Sequence, residues 1–106
     1  MTDFIELHCT YNNKSQAKLK ANILIKKKLA ACVHISQKIQ STYYWKGIIE
    51  NDDEYLMIAK THQSLFKQIS HEIKMDHPLD CPQIYSLKIL EIEKEYLKWI
   101  EEILKS

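Results

Sequence analysis

Cys9, Asp76, His77, Asp80 and Cys81 bring thiol, imidazole and carboxylate groups to two places in the chain. A thiolate beside an imidazole suits soft or borderline ions such as copper or zinc, and the carboxylate of Asp76 lowers the preference for copper within such a set. Cys32 is the third thiol. Its setting, Leu29-Ala30-Ala31-Cys32-Val33, reads as a small buried residue in an apolar strand more than as a ligand. Glu50, Asp52, Asp53 and Glu54 form an acidic run, but the glycine-containing loop that accompanies calcium ligands is absent, so a solvated turn accounts for it.

Other chemistries lack their residues. There is no nucleophile elbow, no HExxH, no Walker loop and no GxGxxG, and one glycine leaves little backbone to cradle phosphate. Neither catalysis nor an organic cofactor is expected. The formal charge is +1 and the chain contains no arginine, the residue best fitted to phosphate forks and guanine edges, so nucleic acid is not an expected partner. No apolar run approaches the ~20 residues of a membrane span, and Met1-Thr2-Asp3 opens no signal peptide. An odd number of cysteines without a CxxC pair fits free thiols in a reducing, cytoplasmic compartment.

The elements that must position these groups follow from periodicity. Asp3 to Thr10 alternates, with Ile5, Leu7 and Cys9 on one face and Phe4, Glu6 and His8 on the other. Asn13 caps a helix with Gln16 at its third position, and Ala17, Ala21, Leu24 and Ile25 give that helix its buried stripe. Lys26-Lys27-Lys28 closes it, complementing the carbonyl end of the helix dipole.

Residues 29–61 read as a long β-ribbon. Ala31 to Ile35 and Ser41 to Trp45 form the outgoing arm, Lys46-Gly47 the turn at the only glycine, and Glu54 to Thr61 the return. At about 3.3 Å per residue, an extended run from 30 to 45 reaches roughly 50 Å, longer than a compact domain of this size is wide. The ribbon must overhang. With Tyr43, Tyr44 and Trp45 near its tip, it is expected to pack on another copy of the chain.

Ser64 is placed to cap a second helix with Phe66, Ile69 and Ile73 on its apolar face, ending at His77-Pro78. Gln83 to Leu90 is a short strand with Tyr85, Leu87 and Ile89 on one face. Tyr96, Trp99, Ile100, Ile103 and Leu104 mark an amphipathic terminal helix that packs on the sheet or on a neighbour's ribbon. The order β-α-β-β-α-β plus one helix gives an α+β class, a ferredoxin-like antiparallel sheet with helices on one face, in a single domain spanning 1–106.

That topology makes the first and last strands neighbours. The end of the first strand at Cys9 then lies near Cys81 and Pro82, and His77 ends the helix above the same corner, so Cys9, Asp76, His77, Asp80 and Cys81 can converge on one ion. The alternative for Cys9 is a buried core thiol. Cys32 stands about two strand spacings of 4.8 Å away from Cys9, too far for one ion with bonds near 2.3 Å. His8, His34 and His71 read as ordinary imidazoles.

Leu29-Ala30-Ala31-Cys32-Val33, Ser41-x-Tyr43-x-Trp45-x-Gly47, Glu54, Lys60-Thr61, His77-Pro78, Pro82 and Tyr96-Leu97-x-Trp99 resemble the CutA family of divalent-cation tolerance proteins, in order and spacing, over nearly the whole chain. The resemblance implies a ferredoxin-like homotrimer held by exchanged ribbon strands, binding of copper or another divalent metal, and no established enzymatic activity. It also implies metal ligation by the cysteine ending the first strand and by the histidine of His77-Pro78. The chain departs from the family pattern at His34, where asparagine is usual, and at Leu79, Asp80, Cys81 and Gln83, where the His-Pro motif usually continues Tyr-Glu-x-Pro-Glu. It also lacks the usual proline before Ser41. A second expectation follows from likeness to PII-type signalling proteins: a trimeric scaffold or sensor with a ligand in the inter-subunit cleft, lined by Trp45, Glu54 and Lys60 of neighbouring chains.

Overall fold

The computed structural model describes residues 3–104. Strand β1 (Phe4–Tyr11) is followed by helix α1 (Lys14–Lys26), the ribbon strands β2 (Cys32–Trp45) and β3 (Ile48–His62), and a 3-10 turn (Gln63–Leu65) leading into helix α2 (Phe66–Lys74). Strand β4 (Ile84–Lys88) and helix α3 (Lys94–Ile103) complete the order. The four strands form one antiparallel sheet in the order β2-β3-β1-β4. The ferredoxin-like α+β plan and the neighbouring first and last strands are as expected.

Alternation decides where the core sits. Ile5, Leu7 and Cys9 of β1 and Met57 and Ala59 of β3 are buried, and Leu7, Cys9, Met57 and Ala59 pack with Ala17 and Leu24 of α1 and Ile69 and Ile73 of α2 in one cluster. The other face is only partly covered. Ile100 of α3 buries itself against Phe4 and Ala31 at one end, while Tyr85 and Leu87, paired with His8 and Glu6, stay 42% and 48% exposed. The terminal helix packs on the sheet, one of the two placements expected of it.

Helix α1 begins as anticipated, with the Gln16 backbone N–H donating to Asn13 Oδ1 at 3.1 Å. Its buried stripe differs: Ile25 is 40% exposed, and Lys20 is buried in the place of an apolar residue because its ammonium meets Glu72 and Asp76. Helix α2 is led in by His62, whose Nδ1 accepts the Ser64 N–H at 3.0 Å, so Ser64 is the capped residue and not the cap.

The ribbon is longer than its apolar content suggested. The return arm starts at Ile48, not Glu54, and the acidic run 50–54 is strand, not turn. Cross-strand partners hold it there: Tyr43 Oη donates to Asp52, and Thr42 Oγ1 to Asn51 at 2.7 Å. Lys46 (φ 52°) and Gly47 (φ 81°) form the tight turn, both in the left-handed region a two-residue hairpin loop needs. A register irregularity between Ile35 and Lys38 separates the inner from the outer ribbon. The molecule measures 46 × 25 × 24 Å, and Tyr44, Trp45, Ile48 and Ile49 at the ribbon tip are all about half exposed or more.

Candidate functional site

Two places collect the chemistry, one at the corner where β1 ends and one under the outer ribbon. At the corner, β1 delivers Cys9 and Tyr11, and the segment after α2 delivers Asp76 and His77. The Tyr11 and His77 rings lie 4.5 Å apart. Both imidazole nitrogens are in use: Nε2 donates to the Thr10 carbonyl at 2.8 Å, and Nδ1 accepts the Leu79 N–H at 3.1 Å. Those two bonds specify the neutral Nε2–H tautomer.

Cys9 is completely buried, its thiol 3.7 Å from the Thr10 carbonyl. Burial, and then the negative charge of Glu54, pushes that thiol up to about 12. Burial, with the charges of Cys9 and Asp76, pushes the Tyr11 phenol above its ordinary range as well. The Tyr11 hydroxyl is buried and finds no hydrogen-bond partner among the described residues. Asp76 reaches the other way, with Oδ1 3.0 Å from Lys20 Nζ.

Of the five donors expected to converge, Cys9, Asp76 and His77 each already hold a partner of their own. Cys81 is an exposed free thiol beyond them, and Asp80 lies next to it on the segment leading to β4. Among the described residues, no three His, Cys, Asp or Glu side chains gather at metal-holding distance. Within one chain a soft cation would have to strip the Cys9 proton and break a His77 bond before using either group. Cys32 is half-buried rather than core, with Sγ 3.6 Å from His34 Nε2, a pair that alternation along β2 creates.

Under the outer ribbon lies a cavity of about 790 Å³, walled by Tyr43 and Trp45 of β2, by Glu50, Asp52 and Glu54 of β3, and by the segment 78–83 with Asp80 and Cys81. Whereas the expected cleft draws its residues from neighbouring copies, Trp45 and Glu54 both line this cavity within one chain. Lys60 does not reach it: six residues along β3 amounts to roughly 20 Å, and its ammonium sits 5.9 Å from the centroid of the Tyr96 ring. Sequence reasoning missed Glu50 and Asp52 as wall residues. Their signal was present as Glu50-x-Asp52-x-Glu54, a period of two that places all three on one face of a strand.

Residues 5–103 match the CutA1 divalent ion tolerance protein family. The chain belongs to that family. Among its relatives, the chloroplastic CutA protein of Arabidopsis thaliana is 36% identical over 97 residues, covering 92% of this chain and 53% of that protein. The divalent-cation tolerance protein CutA of Thermus thermophilus is 36% identical over 93 residues, covering 88% of this chain and 90% of that one. The crystal structure of CutA1 from Oryza sativa superposes with a TM-score of 0.94 at 35% identity, over 98% of this chain and 95% of that chain. The chain spans about half the length of the first curated relatives it matches. CutA1 is a family named for ion tolerance and not for a catalysed reaction. Among the described residues, no helix is long and apolar enough to cross a membrane.

Proposed function

We propose that the chain acts as a cytosolic homotrimer, joined through its ribbons, that binds a divalent metal ion, copper or zinc, in metal tolerance and without catalysis. The observation that carries this reading is the ribbon itself: strands of 14 and 15 residues whose outer halves leave Tyr44 73%, Trp45 49%, Ile48 64% and Ile49 56% exposed. An apolar tip of that kind on a projecting hairpin needs a second surface, and a closed ring of copies supplies one to every tip. Free thiols support a reducing compartment.

The proposed metal ligands are those of the corner, with their order set by access. Exposed Cys81 and Asp80 meet the ion first, and His77, Asp76 and Cys9 join only as their present bonds yield; Cys32 with His34 is a separate, weaker pair. Calorimetric titration with Cu²⁺ and Zn²⁺ of the wild type, Cys81→Ser, Cys9→Ala and His77→Ala tests the assignment. A reduced stoichiometry in Cys81→Ser and His77→Ala is expected; equal stoichiometry in all four proteins removes the site.

The cavity favours a second reading, a trimeric ligand-sensing scaffold of PII type. Trp45 and Glu54 form its walls, and Lys60 of a neighbouring copy would complete it. A small anion that raises thermal stability in the wild type but not in Lys60→Ala supports this reading.

A further inference from the structure

Pairing along the ribbon leaves one residue over on β2. Ile35 and Trp45 stand ten positions apart, while their partners Met57 and Ile48 stand nine apart on β3. The surplus is taken up where Ser36 and Gln37 together face Leu56, two residues against one, which makes the irregularity a β-bulge.

Ser36 closes that bulge with its side chain. Its hydroxyl accepts the Leu56 backbone N–H at 2.8 Å and donates to the Gln37 carbonyl at 2.7 Å, so one oxygen serves both strands where the register is interrupted. Both bonds need the hydroxyl.

The place of the surplus residue decides which side chains share a face. Directly opposite residues point the same way, so the pairs Ser41 with Asp52, Tyr43 with Glu50 and Trp45 with Ile48 put Tyr43 and Trp45 on the cavity side. Without the bulge the outer arm slides by one: Tyr43 meets Ile49, Tyr44 meets Ile48, and the surplus passes into a three-residue loop of Trp45, Lys46 and Gly47. Tyr44 then takes the cavity side and Tyr43 turns away.

The tip alone does not forbid the slide. A three-residue hairpin loop needs positive φ only at its last residue, which would be Gly47, whereas the observed two-residue turn also holds Lys46 at φ 52°. The observed register must therefore be favoured from outside the turn. Cross-strand bonds of Thr42 and Tyr43 contribute, but both are exposed, where water competes as a partner; the half-buried Leu56 N–H loses its acceptor in the bulge if the Ser36 hydroxyl is removed.

We propose that Ser36 is a positioning residue that selects the register of the outer ribbon, and with it which of Tyr43 and Tyr44 shares a face with Glu50 and Asp52. The inference goes beyond metal binding and sensing and holds whichever surface the ribbon meets.

The test is nuclear magnetic resonance on the full chain, reading close Hα–Hα contacts across the ribbon: Tyr44 to Ile49 marks the observed register and Tyr43 to Ile49 the slid one. Wild type and Ser36→Thr, which keeps the hydroxyl, should show the first contact alone. Ser36→Ala should show both, the lost bonds shifting the balance toward the slid register by about tenfold. Deleting Gln37 removes the surplus residue, so Ser36→Ala with that deletion should return to the first contact alone, a rescue that loss of a merely stabilising hydroxyl does not allow. Lys46→Asn, which suits the two-residue turn, should restore the same contact from the far end of the arm. A Ser36→Ala protein that keeps only the Tyr44 contact overturns the proposal, as does a Tyr43 contact that persists once Gln37 is deleted. Should Ser36→Ala fail to fold, the deletion must recover a folded chain with the Tyr44 contact; an unfolded double variant equally overturns it.

Discussion

The His77 ring is bonded at both ends, its Nε2 2.8 Å from the Thr10 carbonyl oxygen and its Nδ1 receiving the Leu79 N–H at 3.1 Å. One imidazole thereby ties the last turn of β1 to the segment that leads into β4. His77→Ala leaves two backbone groups without this partner, one of them beside the buried Tyr11 ring, and should cost about 1–3 kcal/mol in urea denaturation. The nitrogen chemical shifts of the wild-type ring should report the Nε2–H tautomer; an Nδ1–H tautomer would contradict the bonding.

The three thiols should differ sharply in reactivity. At pH 8, Cys81 should modify fastest with an aromatic disulfide reagent, Cys32 more slowly, and Cys9 only on unfolding, because it is buried and stays protonated up to about 12. Its folded value lies above the ordinary 9.0, so its contribution to stability is complete below pH 9 and is lost as pH rises from there through about 12. Cys9→Ala should flatten that alkaline loss.

Lys20 joins α1 to α2. Its side chain is 3% exposed, and Nζ donates to the Glu72 carbonyl at 2.7 Å while pairing with Asp76 at 3.0 Å. Lys20→Met should destabilise by about 2–3 kcal/mol, less than the 3–5 of a fully buried pair, because Asp76 is largely exposed and Glu72 keeps Lys27. The Lys27 hydrogen bond, with Lys27 and Lys20 charge behind it, holds the Glu72 carboxyl below its ordinary 4.5. That stabilisation is present above pH 4.5 and lost as pH falls through the lower folded value, so Lys27→Ala should unfold over a narrower acid range.

Lys46 stands at positive φ beside Gly47, where asparagine is the favoured residue of a two-residue hairpin loop. Lys46→Asn should stabilise by about 0.5 kcal/mol, read as a shift in the denaturation midpoint with unchanged slope.

Much of the framework was legible because period and burial agreed: Leu7 and Cys9 alternate into the core, and Ile69 and Ile73 recur at helical spacing. The length of the return arm was not, since Glu50 to Glu54 carries poor strand formers and becomes strand only by pairing with Tyr43 and its neighbours. Lys20 escaped notice for a similar reason: a lysine enters a core only when acids from a distant element meet it, and periodicity does not contain Glu72 and Asp76. At the corner, chain order placed Cys9 and His77 near each other, but the bonds that occupy them depend on backbone groups with no signature in residue type.

The central claim is that the ribbons join three copies of the chain, and light scattering on the purified protein across a dilution series tests it most directly. A particle of three times the chain mass, persisting on dilution and broken to smaller species by Tyr44→Lys with Ile49→Lys at the tip, is the predicted result; a stable particle of one chain mass would contradict it.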